Sequence, residues 1–414
     1  MTNEGAADEV VDDHVDPVAL VPTRYLHEMA TLLRGTEPEL WSFFAGASAQ
    51  EERARARTRL LQYSVRLGVE DYPDLHALAA RAAAALGISD PVTLYQSQGA
   101  EVLPDHGNAS CLSLPGEVHI VFSGRLLEQL DDLRLLAVLG HELTHHKLWQ
   151  DDEGELGAVD RMLWAAAVDG DSLPSHTESA RRFRLHVETT ADRGGLLVTG
   201  DLEATVEALV SVSTGLAKVA GSAYLKQASE VLADPARDRS DDGIHPELYI
   251  RARALELWAT KSDEDETERL IAELLRGGDD LDDLDLLDQH RLTALTRRLV
   301  GQVLRPAFLR TDAMIGQAGL FGAAPSDETD DTLHAECAAT PTPVKEYLAA
   351  VLLDMATCDP DVDEVALAQT FVLADQAGLA QVYEPLIVKE LSLGVRVVRA
   401  QRAAAPDLLE RASR

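Results

Sequence analysis

His141 and His145 stand four positions apart in the segment Leu139-Gly140-His141-Glu142-Leu143-Thr144-His145-His146. On a helix this spacing stacks the two side chains on one face, so both imidazoles can reach a single ion. Glu142, one position further on, projects beside that ion rather than onto it. Two neutral imidazoles on Zn²⁺, with a carboxylate able to take a proton from metal-bound water, are the equipment of metal-assisted hydrolysis. The preceding residues Leu135, Leu136, Val138 and Leu139 would bury the helix and keep such a site partly dry. The competing reading of this short motif is a solvated helical face carrying histidines by chance.

A catalytic zinc takes a third protein ligand and keeps one position open. The candidate third ligand is Glu188, in Val187-Glu188-Thr189-Thr190-Ala191-Asp192. Glu188 and Asp192 are again four apart. Glu188 could ligate, and Asp192 could accept the remaining ring N–H of a ligating histidine and so fix its tautomer. A third element is His245-Pro246-Glu247-Leu248-Tyr249-Ile250-Arg251. Proline after His245 suits a helix start, which puts Arg251 almost two turns in. His245 at the mouth of the site could stabilise an oxyanion. Arg251 could hold the Glu188 and Asp192 carboxylates. By itself, without the other motifs, His245 reads better as a surface loop residue.

The elements that must position these groups follow from periodicity. Helical spacing covers 132–149, 155–168, 178–196, 202–218, 222–233 and 246–260, after an alanine- and leucine-rich helical stretch at 23–90. Two β-type runs, Val92–Gln96 and Val118–Phe122, are separated by turn formers. Residues 1–20 hold six acids and no Lys or Arg and read as a flexible tail. Residues 262–290, with twelve acids against two arginines, read as a linker. Helices resume near 290–308, a loose acidic stretch follows at 323–343, and 344–400 is helical. The expected division is a tail at 1–20, a metallopeptidase domain at 21–261 (helical part 23–90, motif core 91–261), a linker at 262–290 and a helical domain at 291–414.

The three motifs in this order resemble the zinc metallopeptidases of the HtpX and CAAX-prenyl-endopeptidase group, metallopeptidase family forty-eight. The family pattern is HExxH, a later ExxxD and a downstream HPxxxxR. It corresponds here to His141–His145, Glu188–Asp192 and His245–Arg251. Asn108-Ala109-Ser110 and Pro115-Gly116-Glu117-Val118-His119-Ile120-Val121-Phe122 also look like the family. In such enzymes this stretch forms a strand at the cleft rim that a peptide joins by backbone hydrogen bonds. The resemblance implies one Zn²⁺ per chain held by His141, His145 and Glu188, with Glu142 as general base. It makes Asp192 and Arg251 supporting groups and His245 a transition-state helper. It places Asn108, Ala109, Val118, His119, Ile120 and Val121 against substrate. His146 and His186 are not carried over, since both point off the ligand face. The fold implied is mainly α with a small β-sheet, an α+β zincin-like core, followed by an all-α C-terminal domain. Residues 341–400 are similar to TerB-like helical domains. Asp359, Asp361 and Asp363 resemble the start of a calcium loop, but Glu364 and Thr370 stand where that loop takes Gly and Glu. A helix-capping acidic turn is expected there instead.

The whole chain of 414 residues carries 71 acidic and 37 basic side chains, a formal charge of −34. This excludes a phosphate-binding surface and docking on an anionic leaflet. Three cysteines without paired spacing exclude a disulfide scaffold and suit a reducing compartment. No run approaches about 18 uninterrupted apolar residues. No integral membrane segment is therefore expected, and a cytoplasmic enzyme is. The expected partners are a peptide or protein substrate, and a protein bound through the C-terminal helical domain. The alternative is a non-catalytic stress-response or interaction protein built on a zinc-stabilised peptidase-like fold. The intact Glu142 argues for the enzyme, because a purely structural zinc site needs no base.

Overall fold

The computed structural model describes residues 20–45, 50–97, 108–234, 240, 245–276 and 280–414. The acidic stretch 1–19 lies outside them. The chain divides into two compact units, Met1–Ser172 with Ser179–Gly277, and Leu173–Glu178 with Gly278–Arg414.

In the first unit, helices α1 (Arg24–Thr36), α2 (Pro38–Ala45) and α3 (Gln50–Tyr63) lead into strand β1 (Ser64–Arg66). Helix α4 (Pro73–Ala85), strands β2 (Val92–Ser97), β3 (Ala109–Leu114) and β4 (Glu117–Phe122), and the short α5 (Leu126–Gln129) follow. Then come α6 (Asp132–Gln150), α7 (Glu155–Val168), α8 (Pro174–Thr199, of this unit from Ser179 onward), α9 (Leu202–Thr214), α10 (Gly221–Ala233), α11 (Leu248–Thr260) and α12 (Glu264–Leu275). The fold is mainly helical, with one small mixed sheet among the described residues, as the sequence leads one to expect.

The sheet order is β1-β2-β4-β3. β2 and β4 are parallel, and the outer pairs are antiparallel, with Cys111 opposite Ile120. β4 is therefore an interior strand, which corrects the reading of Val118, His119, Ile120 and Val121 as rim residues. Their backbone groups are taken up by β2 on one side and β3 on the other. Val118, Ile120 and Phe122 enter the core under α4 and α6, while Val121 packs with Leu60 and Tyr95 on the opposite face. His119 is buried there too, with its Nδ1 3.5 Å from Tyr95 Oη. Among the described residues the edge strands of this sheet are β1 and β3.

Helix α6 starts at Asp131, whose carboxylate accepts a hydrogen bond from Arg134 N at 3.0 Å and satisfies one orphan donor of the first turn. Leu135, Leu136, Val138, Leu139 and Leu143 are all buried. A helix covered on nearly every side fixes its polar side chains rigidly. Within the acidic stretch 262–290 the structure has a packed helix. α12 is capped by Asp263 and sinks Ile271 and Leu275 against Leu185, Ile250 and Leu257. Acids line its exposed face, so composition alone hides its amphipathic period.

The second unit contains α13 (Leu286–Val303), α14 (Asp312–Leu320), α15 (Asp331–Ala339), α16 (Thr342–Thr357), α17 (Asp363–Gln376), α18 (Ala380–Glu390) and α19 (Val395–Ala412). They share one core that includes Leu299, Val303, Leu348, Leu352, Phe371 and Tyr383. The stretch 323–343 is not wholly loose, because α15 lies in it. In the acidic turn before α17, Asp359 accepts hydrogen bonds from Thr311 Oγ1 at 2.5 Å and Asp361 N at 3.0 Å. The Asp359 carboxylate is thus engaged in ordering the turn.

Candidate metal centre and its cleft

Three elements of the first unit meet at the centre. α6 supplies His141, Glu142 and His145, α8 supplies Glu188 and Asp192, and the start of α11 supplies Arg251, with His245 just before it. One ligand atom each from His141, His145 and Glu188 lie within 4.8 Å of one another. The two Nε2 atoms are 3.2 Å apart. Glu188 Oε2 is 3.5 Å from His141 Nε2, and Oε1 is 3.4 Å from His145 Nε2. This is a convergence of lone pairs around a common point. His141 Nδ1 donates to Asp192 Oδ1 at 3.0 Å; burial opposes the charged ring, but Asp192 and Glu188 hold it up to about 10, so a metal would have to displace the Nε2 proton before that atom, turned towards the other two groups, could act as an acceptor. Two imidazole nitrogens and a carboxylate at this spacing fit a tetrahedral zinc with a fourth position open.

The surroundings are charge-coupled. Arg251 holds Asp192 with a two-pronged contact, Nε to Oδ2 at 2.7 Å and Nη2 to Oδ1 at 2.6 Å. Burial alone would raise the Asp192 carboxyl, but the guanidinium outweighs it and holds the group below the usual range. Burial likewise opposes ionisation of Glu188, yet His145, His141 and His245 keep it well below the ordinary carboxylate value. Burial pushes Glu142 up to about 7, with His141 pulling the other way. A carboxyl poised near neutrality suits proton transfer in both directions. His145 is lowered to about 4 by burial, so its ring is neutral and able to donate a lone pair.

His245 Nδ1 lies 2.9 Å from Glu188 Oε2, and the ring lines the cleft. α11 begins at Leu248, not at Pro246. Arg251 consequently sits in its first turn, closer to the helix start than the proline implies. Asn108 and Ala109 line the same cavity, and the Asn108 amide donates to Val212 O of α9. Of the expected rim residues, these two reach the cleft, whereas Val118–Val121 do not line it. His146 is off the ligand face as expected. It is buried between Ser113 Oγ at 2.8 Å and Asp90 Oδ2 at 3.0 Å, and so pins α6 to β3. His186 is also away from the centre, stacked on Tyr25 with ring centroids 4.3 Å apart.

The residues missed in sequence are glycines. Gly140 on α6 and Gly194 and Gly195 on α8 form the crossing of the two helices. A Cβ on Gly195 would stand 2.8 Å from Ala137 O, and one on Gly194 would stand 1.8 Å from Thr144 Oγ1. Without them α8 could not bring Glu188 and Asp192 against His141. The pair Gly194-Gly195, one residue after ExxxD, is a readable signal for close helix approach.

The cavity beside the centre has a volume of about 590 Å³. It extends from His141 and Glu142 along the flank of α6 to a wall made by α9. No helix among the described residues is long and apolar enough to cross a membrane. No curated protein and no solved structure gives a significant match. Residues 70–154, which run from before α4 to just past the end of α6, match the family model described as Peptidase family M48, and this supports a metallopeptidase of that family.

Proposed function

We propose that the chain is a zinc-dependent endopeptidase acting on peptides or proteins, with His141, His145 and Glu188 as the metal ligands and Glu142 as the general base. The observation that carries this reading is the convergence of those three ligand atoms within 4.8 Å beside a buried carboxyl poised near neutrality. Glu188, Asp192, His245 and Arg251 lie outside the segment matched by the family model, so their assembly is support independent of that match.

A zinc ion held there would polarise the scissile carbonyl and make a bound water acidic. Glu142 takes the proton from the attacking water and returns it to the leaving amine. Asp192 keeps His141 in the tautomer whose Nε2 is a donor of electrons, and Arg251 keeps Asp192 ionised and in place. His245, held against Glu188 at the cleft, donates a hydrogen bond to the oxygen that gains charge as water adds. The open edge of β3 receives the peptide backbone as an added strand. The peptidase unit in this reading begins at 21 and, beyond the expected bound of 261, takes in α12, which packs on its core. The helical 291–414 segment, TerB-like at 341–400, is its partner-binding unit, and the enzyme works in the cytoplasm.

The test is Glu142→Gln. The variant should retain one zinc per chain, as in wild type, and cleave unfolded casein at least about 10³-fold more slowly. If wild type binds zinc yet cleaves neither casein nor a broad peptide library, the enzyme reading is wrong and the non-catalytic alternative gains.

A further inference from the structure

We infer that His146 is a positioning residue for cleavage: through Ser113 it fixes strand β3 against α6, so that a peptide lying on β3 presents its scissile bond to the centre. This inference rests on the endopeptidase reading, with β3 as the strand that receives the peptide, and it names the side chains that set the peptide's place.

The observation behind it is a directional chain of hydrogen bonds. Gln150 Nε2, at the end of α6, donates to Ser113 Oγ at 2.9 Å. Ser113 Oγ stands 2.8 Å from His146 Nδ1, and His146 Nε2 stands 3.0 Å from Asp90 Oδ2. A carboxylate only accepts, so Nε2 carries the hydrogen that is donated to Asp90. Nδ1 is then the acceptor for the Ser113 hydroxyl, whose oxygen in turn accepts from Gln150. Each donor faces one acceptor, and the chain runs in one sense from Gln150 through Ser113 and His146 to Asp90. The His146 ring is buried at its middle, where an unmatched polar atom would be costly.

Such a chain fixes β3 where packing does so weakly. β3 is an edge strand, paired on one side with β4. Ala109 and Cys111, which share the face of Ser113 by the two-residue period, are small and lie against the core that includes Leu135, Leu139 and Leu143 of α6. Small side chains let a strand tilt or slide on a helix, whereas a hydrogen bond weakens steeply once its length and angle leave the optimum. The other end of β3 is tied separately, by the Asn108 amide donating to Val212 O of α9. A strand that takes up a peptide by backbone hydrogen bonds passes its own position on to that peptide. His146 directly follows His145, so the tie to β3 and a ligand of the centre leave α6 from adjacent residues. A displacement of about 1 Å between β3 and α6 would carry the scissile carbonyl off the centre, an error that costs about 100-fold in rate.

The experiment uses the zinc-loaded full chain with two substrates. One is a peptide of about eight residues, long enough to run the length of β3; the other is an N-acylated dipeptide amide too short to pair with it. Ser113→Ala should keep the wild-type zinc content. On the long peptide its kcat should fall at least about 10-fold while KM stays within about threefold. On the short substrate its kcat/KM should stay within about twofold of wild type. Ser113→Thr, which restores the hydroxyl, should restore cleavage of the long peptide. His146→Leu should repeat the contrast of Ser113→Ala, and if it fails to fold, Asp90→Ala, at a side chain 33% exposed, takes its place. Amide hydrogen exchange over 109–114 should speed up in Ser113→Ala. Equal losses on the two substrates, no loss on either, or unchanged exchange over 109–114 overturns the positioning role and leaves the endopeptidase reading standing. Failure of wild type to cleave either substrate removes the endopeptidase reading, and this inference with it.

Discussion

Asp192 is the residue through which the centre's order passes, because its Oδ1 receives both His141 Nδ1 and Arg251 Nη2. Removing the carboxylate should uncouple the imidazole and leave a buried guanidinium without its counter-charge. Asp192→Ala is expected to weaken zinc binding by about 10–100-fold and to destabilise the fold by about 3–5 kcal/mol. Competition with a coloured chelator and thermal melting measure the two effects separately, and unchanged zinc affinity would show that Asp192 does not orient His141. The convergence of these side chains was legible in sequence because helical spacing maps directly onto one face, as at His141/His145 and Glu188/Asp192. The partners of His146, namely Ser113 and Asp90, were not legible, since nothing local ties residues 33 and 56 positions away.

At the scale of elements, the centre exists because α6 and α8 cross in near backbone contact. Gly195→Ala places a methyl group against Ala137 O, which cannot step aside as a flexible side chain would. The helices must separate, at a cost of about 1–3 kcal/mol from overpacking, and Glu188 moves off the histidines. Lower melting temperature together with loss of zinc is the expected outcome. Gly35→Ala on α1, where a Cβ would meet nothing within 4 Å, serves as the contrast and should melt at the wild-type temperature or slightly above. Equal melting and equal zinc content for both variants would remove the crossing from the account. The sheet was only partly legible. The run Val118–Phe122 is apolar at nearly every position, which is the mark of a strand buried on both faces and not of a rim. The open-edged β3, Ala-Ser-Cys-Leu-Ser-Leu, has no β-branched residue and left no strand signal. Its place follows from pairing with β4, a non-local fact.

For the whole molecule, most of the charge of −34 falls in sequence segments other than the one that carries His141 and His145. Residues 1–20, 262–290 and 325–336 carry net charges of −6, −10 and −5, whereas Asn108–Gln150 carries −2. Acidic composition therefore speaks to solubility and not to substrate. Helical character and a small sheet were readable from periodicity. The boundaries within acidic stretches were not, because α12 and α15 bury few side chains and expose many acids. In the proposed function, one zinc at His141, His145 and Glu188 is what makes the chain a peptidase. Stripping the purified protein with a chelator and titrating zinc back while following casein cleavage tests it most directly. Cleavage should vanish on stripping and return in proportion to added zinc, saturating at one ion per chain in wild type, with no return in Glu142→Gln. Cleavage that survives stripping, or that returns equally in Glu142→Gln, would contradict it.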